Sequence, residues 1–257
     1  MAALRAAGAG DWLDDVRLVL AEARSRIHTD VPLAESHLRD DNPHRALAEA
    51  FLEACLHLRR STALAMVQDA AKRGLPVEEI YAHVITPAMR ELGRMWHLNL
   101  VTVGQEHYCT AVAQMVMAQL FPLIFDGERA AAGRVVSVCA AGELHEIGAR
   151  MVADLFEMHG WDTVFLGADV PASSVVDTLV ETDADVLAIS VTLAANLGFV
   201  SDLIEAMRRD PACDEIKVLV GGAAFEVEPN LWERIGADGW APDAAEALSL
   251  AEGWRRQ

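Results

Sequence analysis

Two hydrophobic periods divide this chain. From Asp11 to about Leu123, apolar residues recur at the three-to-four-residue spacing of helices with one buried face. A leading helix is expected over Asp11 to Ile27, with Trp12, Val16, Val19, Leu20 and Ala23 on one stripe. Four more follow. Pro43, after Asp41-Asn42, opens the first, which runs to about Leu58; Ser61 opens the second, which stops at Gly74-Leu75-Pro76. The third spans Val77 to about Trp96 and should kink at Pro87, and the fourth runs from near Thr102 to Phe121-Pro122. Four helices with short connections predict an up-down bundle.

Beyond a linker from Asp126 to Gly133, short apolar runs alternate with helical stretches. Strands are expected at Arg134–Cys139, Asp162–Leu166, Asp185–Ser190 and Glu215–Val220, with a weak fifth near Gly239–Ala241. Helices are expected from about Glu146 to His159, Ala172 to Glu181, Leu197 to Arg209, and from Asp243 onward. Strands that are apolar throughout and separated by helices predict a parallel sheet covered on both faces. The expected divisions are 1–40 (helix and linker), 41–126 (bundle) and 133–257 (α/β domain).

Composition narrows the partners. The 257 residues carry a net charge of −18, which repels phosphate backbones and anionic lipid, so neither direct nucleic-acid binding nor membrane association is expected. Four scattered cysteines without a CxxC pair suit a reducing compartment. No signal-peptide pattern opens the chain, and no apolar run approaches the ~18 residues of a membrane span. A cytoplasmic protein is expected.

In open α/β sheets, ligands bind beyond the carboxyl ends of the strands. The loop after the first strand reads Ala140-Ala-Gly-Glu143-Leu-His145-Glu-Ile-Gly148, neither a dinucleotide fingerprint nor a phosphate loop. Glu143, two positions before His145, can hold one ring nitrogen while the other faces a metal. Gly148 would let a bulky group approach the backbone. The third strand ends in Ser190 and Thr192, the fourth in Gly221-Gly222.

This ExHxxG…SxT…GG pattern resembles the cobalamin-binding fold of methionine synthase and its relatives, whose motif is DxHxxG…SxL…GG. The resemblance implies a flavodoxin/Rossmann-like domain with a five-stranded parallel sheet after an all-α four-helix bundle. It also implies a corrinoid bound base-off. His145 would be the lower cobalt ligand and Glu143 its orienting partner, with Gly148, Ser190, Thr192, Gly221 and Gly222 lining the channel for the nucleotide tail. Glu143 departs from the family's Asp, and Thr192 from its Leu.

In the bundle, Met95-Trp96-His97 and Gln105-Glu106-His107 form a W-x9-EH pattern. Taken alone, Trp96 is bundle core and Glu106-His107 a solvated first turn. Together they resemble the cap of light-sensing cobalamin proteins of the CarH/LitR type. That resemblance implies adenosylcobalamin, with Trp96 against the adenosyl group, Glu106 and His107 on the nucleoside, and His97 ligating cobalt after light. Biliverdin is a second chromophore in the related photocobilins, although no unambiguous bilin attachment site is present. No MerR-like DNA-binding domain is expected ahead of the bundle, where about 40 residues stand. The expected function is a light sensor that changes domain packing or oligomeric state through light-dependent self-association and acts on a downstream signalling protein, without turning over a substrate. The alternatives are a corrinoid carrier serving a methyltransferase and a light-independent cobalamin-responsive module.

Overall fold

The computed structural model describes residues 35–124, 133–226, 228 and 230–255. The expected leading helix lies outside them. Contacts gather into two compact units, one helical and one α/β.

The helical unit contains α1 (Arg45–Leu56), α2 (Arg60–Lys72), α3 (Val77–Ile80), α4 (Thr86–His97) and α5 (Val103–Leu120). Its core is Phe51, Leu52 and Cys55 of α1, Val67 of α2, Leu92 of α4, and Cys109, Val112, Val116 and Leu120 of α5. The expected third helix is divided rather than kinked: a π-helical turn, Tyr81–Ile85, separates α3 from α4. Pro87 explains the break. It has no N–H for the His83 carbonyl four residues back, and its ring crowds that carbonyl. One extra residue in the turn relieves the crowding. The carbonyl finds another donor in Asn42, whose Nδ2 lies 2.8 Å away. Asn42→Ala is therefore expected to lower stability by about 1–2 kcal/mol, read from urea denaturation, because it strands a half-buried carbonyl. An unchanged midpoint would show that water serves the carbonyl as well.

A capping box starts α5. Gln105 N–H donates to Thr102 Oγ1 at 3.2 Å, and Thr102 N–H donates to Gln105 Oε1 at 3.0 Å. Buried Glu91 forms an ion pair with half-buried Arg94 at 2.6 Å on α4, and His37 N–H adds a bond to Glu91 at 2.9 Å. Burial alone would raise the Glu91 carboxyl, but these partners hold it below its ordinary value.

The α/β unit contains β1 (Arg134–Cys139), α6 (Ile147–Met158), β2 (Asp162–Gly167), α7 (Ala172–Thr182), β3 (Val186–Ser190), α8 (Leu197–Met207), β4 (Lys217–Gly221), α9 (Leu231–Arg234), β5 (Gly239–Ala241) and α10 (Ala244–Arg255). All five strands are parallel, in the order β2-β1-β3-β4-β5. Alternation along the strands splits the core. Val136, Val138, Leu187, Ile189, Val218 and Val220 meet α7 and α8. Val135, Val186, Ala188 and Leu219 face the other way, onto α6 and α10. The chain reverses direction across the sheet between β1 and β3, the point at which open α/β sheets place ligands beyond the carboxyl ends of their strands. The short helix α9 had no counterpart in the hydrophobic pattern, because four residues are too few to display a period.

Candidate functional site

The loop leaving β1 is organised around Glu143, whose side chain is wholly inaccessible to water. Its Oε1 accepts from Leu144 N–H at 3.1 Å, from His145 N–H at 3.2 Å, and from His145 Nδ1. Its Oε2 reaches the loop after β3, accepting from Thr192 N–H at 2.9 Å, Leu193 N–H at 3.0 Å and Asn196 Nδ2 at 3.2 Å. Burial pushes the Glu143 carboxyl up, but the His145 and backbone hydrogen bonds outweigh it and bring it down to about 2. A carboxylate so held is a permanent acceptor, which favours the His145 tautomer with the proton on Nδ1 and leaves Nε2 as the nitrogen with a lone pair. The imidazole is half-exposed at the rim. On the loop's other side, Gly142 N–H donates to Asp169 Oδ1 at 2.9 Å.

A second feature comes from strand register. Cys139 pairs with Ser190, Ser190 with Gly221, and Gly221 with Ala241, so the last residues of β1, β3, β4 and β5 stand in one row. The alternation puts this row on the face covered by α6 and α10. All four residues are small. A Cβ on Gly148, in the first turn of α6, would come within 3.3 Å of Ser190 Oγ. Gly222 has φ +96°, and a Cβ there would sit 2.3 Å from the Val191 carbonyl oxygen. The turn after β4 thus lies directly on the end of β3. Burial pushes the Cys139 thiol up to about 12, with Glu143 and Glu146 adding to the effect, so it stays protonated.

A base-off corrinoid needs an imidazole at the rim, a narrow channel for its tail and apolar contacts for the macrocycle. The donor set and the small-residue row fit the first two. For the third, Leu144, Leu193 and Phe199 are large apolar side chains exposed on these loops and the start of α8. Thr192 sits differently from the other residues expected to line a channel, since its backbone N–H is bonded to Glu143.

The remaining candidates belong to the helical unit and flank the turn between α4 and α5. Trp96 and His97 end α4 with ring centroids 5.1 Å apart, and both are exposed. In the first turn of α5, Glu106 Oε2 bonds His107 Nδ1 at 2.6 Å, and Thr110 Oγ1 donates to Glu106 Oε1 at 3.0 Å. Trp96 is thus not core. Along α5, Val103 and Met115 face outward while Met117 is buried, so the helix is apolar on both sides.

Sequence reasoning missed Asn196, Asp169 and Cys139. Cys139 ends an apolar strand like any other strand residue, and the register that aligns it with Ser190 is invisible in one dimension. His44 and His83, far apart in sequence, both approach Glu79 (3.6 and 3.5 Å), yet no group of described residues could hold a metal ion through three or more protein ligands. Among the described residues no helix is long and apolar enough to cross a membrane.

Comparison with known proteins bears on the fold and the family. Residues 133–249 match the B12 binding domain, and residues 47–121 match a second B12 binding domain family. The chain is 26% identical over 208 residues to the dimethylamine corrinoid protein of Methanosarcina barkeri, covering 80% of this chain and 96% of that protein. It is 30% identical over 121 residues to dimethylamine corrinoid protein 3 of Methanosarcina mazei, covering 47% of this chain and 71% of the relative. In fold it is similar to the solved monomethylamine corrinoid protein of M. barkeri, with a TM-score of 0.71 at 23% identity over 81% of this chain and 98% of that one.

These relatives correct the expected partners. Light-dependent self-association and a downstream signalling protein followed from the CarH/LitR resemblance, whereas the relatives are corrinoid proteins named for methylamines. The W-x9-EH pattern specifies a local helix pair and not the partner that the protein meets. With a helical bundle followed by a Rossmann-like domain of five parallel strands, the chain belongs to the family of B12-binding corrinoid proteins.

Proposed function

We propose that this chain is a corrinoid carrier serving a methyltransferase, with His145 as the lower cobalt ligand. The observation that carries the reading is the buried Glu143 carboxylate on His145 Nδ1, next to a row of small residues across four strand ends. When bound, the corrinoid supplies a cobalt atom able to accept and donate a methyl group. The chain's own residues do the rest. Glu143 fixes the ring plane and tautomer of His145 so that Nε2 serves as the ligand. Gly148, Ser190, Gly221 and Gly222 leave room for the tail. Leu144, Leu193 and Phe199 would offer apolar contact to the macrocycle. Relatives named as methylamine corrinoid proteins support a methyltransferase as the partner.

Exposed Trp96 and His97, with rings tilted against each other at the end of α4, and the Glu106–His107 pair of α5 favour a second reading in which the cofactor is adenosylcobalamin and light breaks its Co–C bond. Two dark titrations followed by illumination separate the two. As a carrier, the protein should bind methylcobalamin at least as tightly as adenosylcobalamin, and green light should yield only the aquo- or hydroxo-cobalamin that free cofactor gives. A tenfold preference for adenosylcobalamin with a stable, protein-specific light product would replace the carrier by a photosensor. In either case His145→Ala is expected to lose the His-ligated spectrum and bind about 10–100-fold more weakly. A wild-type spectrum in that variant would remove His145 from the cobalt.

A further inference from the structure

The α1–α2 and α4–α5 turns meet at one end of the helical unit. Tyr108 of α5 ties them together: its hydroxyl donates to the Leu58 carbonyl at 2.9 Å and accepts from Arg60 N–H at 3.2 Å. Two local rules are broken there. Leu58 closes α1 in the left-handed region (φ +57°), where glycine is the usual residue, and its side chain is 58% exposed. A leucine in that place strains the backbone and leaves apolar area in water. Arg59 and Arg60 then open α2, putting two cations at the positive end of its dipole, with no acidic residue in the first turn. Glu53 gives Arg59 an exposed partner at 3.5 Å, and Glu106 is already bonded to His107 and Thr110. Trp96, Leu100 and Val103 add exposed apolar area beside the second turn. Choices that cost folding free energy mark a surface kept for another purpose. This one is apolar and cationic, in a chain of net charge −18.

We propose that this end of the bundle is the docking site for the chain's own leading segment, Asp11 to Ile27. The segment has the complementary character. Trp12, Val16, Val19, Leu20 and Ala23 share one stripe at helical spacing, and over residues 11–22 Asp11, Asp14, Asp15 and Glu22 outnumber the one cation, Arg17. The tether has the reach. His37 N–H is bonded to Glu91 of α4, and Trp96 follows Glu91 by five residues, about 7.5 Å along the helix. From Ile27 to His37 the chain can span about 33 Å when extended. A short tether holds the segment near its site at an effective concentration of order millimolar, so modest contacts suffice and any acidic partner in trans has to displace it. Docking buries the leucine and tryptophan side chains and pairs the two arginines with carboxylates. The leading segment is thus a removable cover for the α4–α5 end, whatever the α/β unit carries.

Charge exchange tests the docking in the full chain. Wild type, R59E/R60E, D14R/D15R, the four-site combination and L58G are compared by hydrogen exchange at low salt, read by mass spectrometry over residues 11–27. A helix this short exchanges freely when isolated, so protection there reports docking. Glutamates suit the start of α2 and glycine suits the backbone of Leu58, so R59E/R60E and L58G should keep or raise the urea midpoint, and lost protection is not unfolding. Protection is expected to fall about tenfold in R59E/R60E and in D14R/D15R, where exposed ion pairs become like-charge pairs. The four-site combination restores the opposite signs and should recover it. L58G should lose about fivefold through lost apolar contact. Protection should not change on dilution. An unprotected wild-type segment, equal protection in wild type and R59E/R60E, or no recovery in the four-site combination would each overturn the proposal. Protection that falls on tenfold dilution would overturn it in favour of docking between two copies of the chain.

Discussion

Glu143→Ala is expected to destabilise the α/β unit by about 3–5 kcal/mol, as judged by urea denaturation, and to abolish His-ligated cobalamin. The size follows from what the carboxylate leaves behind. Four backbone N–H groups, the Asn196 amide and the His145 ring all donate to it, in a place sealed from water. Alanine gives none of them a substitute. Glu143→Gln keeps the volume but exchanges one acceptor for a donor facing donors, so an intermediate loss is expected. The same carboxylate sets a pH dependence. Its folded value of about 2 lies below the 4.5 of an unconstrained glutamate, so the stabilisation is complete above about 4.5 and is lost as pH falls towards 2. A displacement of this size corresponds to about 3 kcal/mol. Between pH 7 and pH 3 the urea midpoint of the wild type should fall further than that of Glu143→Gln. Parallel curves would mean that other carboxylates govern acid unfolding.

Gly222→Ala should be nearly as damaging, for a purely steric reason. At φ +96° any side chain is strained, and the added Cβ would lie 2.3 Å from Val191 O and 2.9 Å from Val191 N. These are backbone atoms of a segment already fixed: Val191 N–H donates to Gly221 O, and Val191 O accepts from Ala224 N–H. Relief requires the end of β3 to separate from the turn after β4. A loss above 3 kcal/mol and a fall in Tm of about 10 °C or more are expected. Gly148→Ala provides the contrast, since its Cβ would only press on a serine hydroxyl at 3.3 Å. That variant should fold with nearly unchanged Tm and show its defect only with corrinoid present. Similar Tm values for the two variants would show that the Gly222 turn yields more easily than its geometry implies.

These positions also show why some of the protein could be read from one dimension. Strand-helix alternation after Gly133 predicts the sheet because each strand is apolar on both faces. The loop residues Glu143 and His145 are close in sequence, so their contact needs no knowledge of the fold. Asn196 is different. It lies 53 residues from Glu143 and looks like an ordinary helix start until the β3 loop is placed beside the β1 loop. The Cys139–Ser190–Gly221–Ala241 row depends on register, which hydrophobic patterning fixes only to the nearest face. In the helical unit, α5 is apolar on both sides, so nothing in its pattern distinguished buried Met117 from exposed Met115. Cys55 of α1 and Cys109 of α5 are both wholly buried and interact with each other, a contact between distant residues that spacing could not reveal.

The π-turn at Tyr81–Ile85 has a consequence for how this helix tolerates changes in length. A residue added to an α-helix advances everything beyond it by about 100° around the axis, because 3.6 residues complete a turn. The turn absorbs one such residue. Removing a residue there would therefore act as a rotation more than as a shortening. If the turn closed into continuous α-helix around a fixed α3, Trp96 and His97 would swing about a quarter-turn to another side of α4, their composition and spacing intact. Angular placement at the end of α4 is thus encoded eleven to sixteen residues upstream, in a segment that contributes no side chain to the pair.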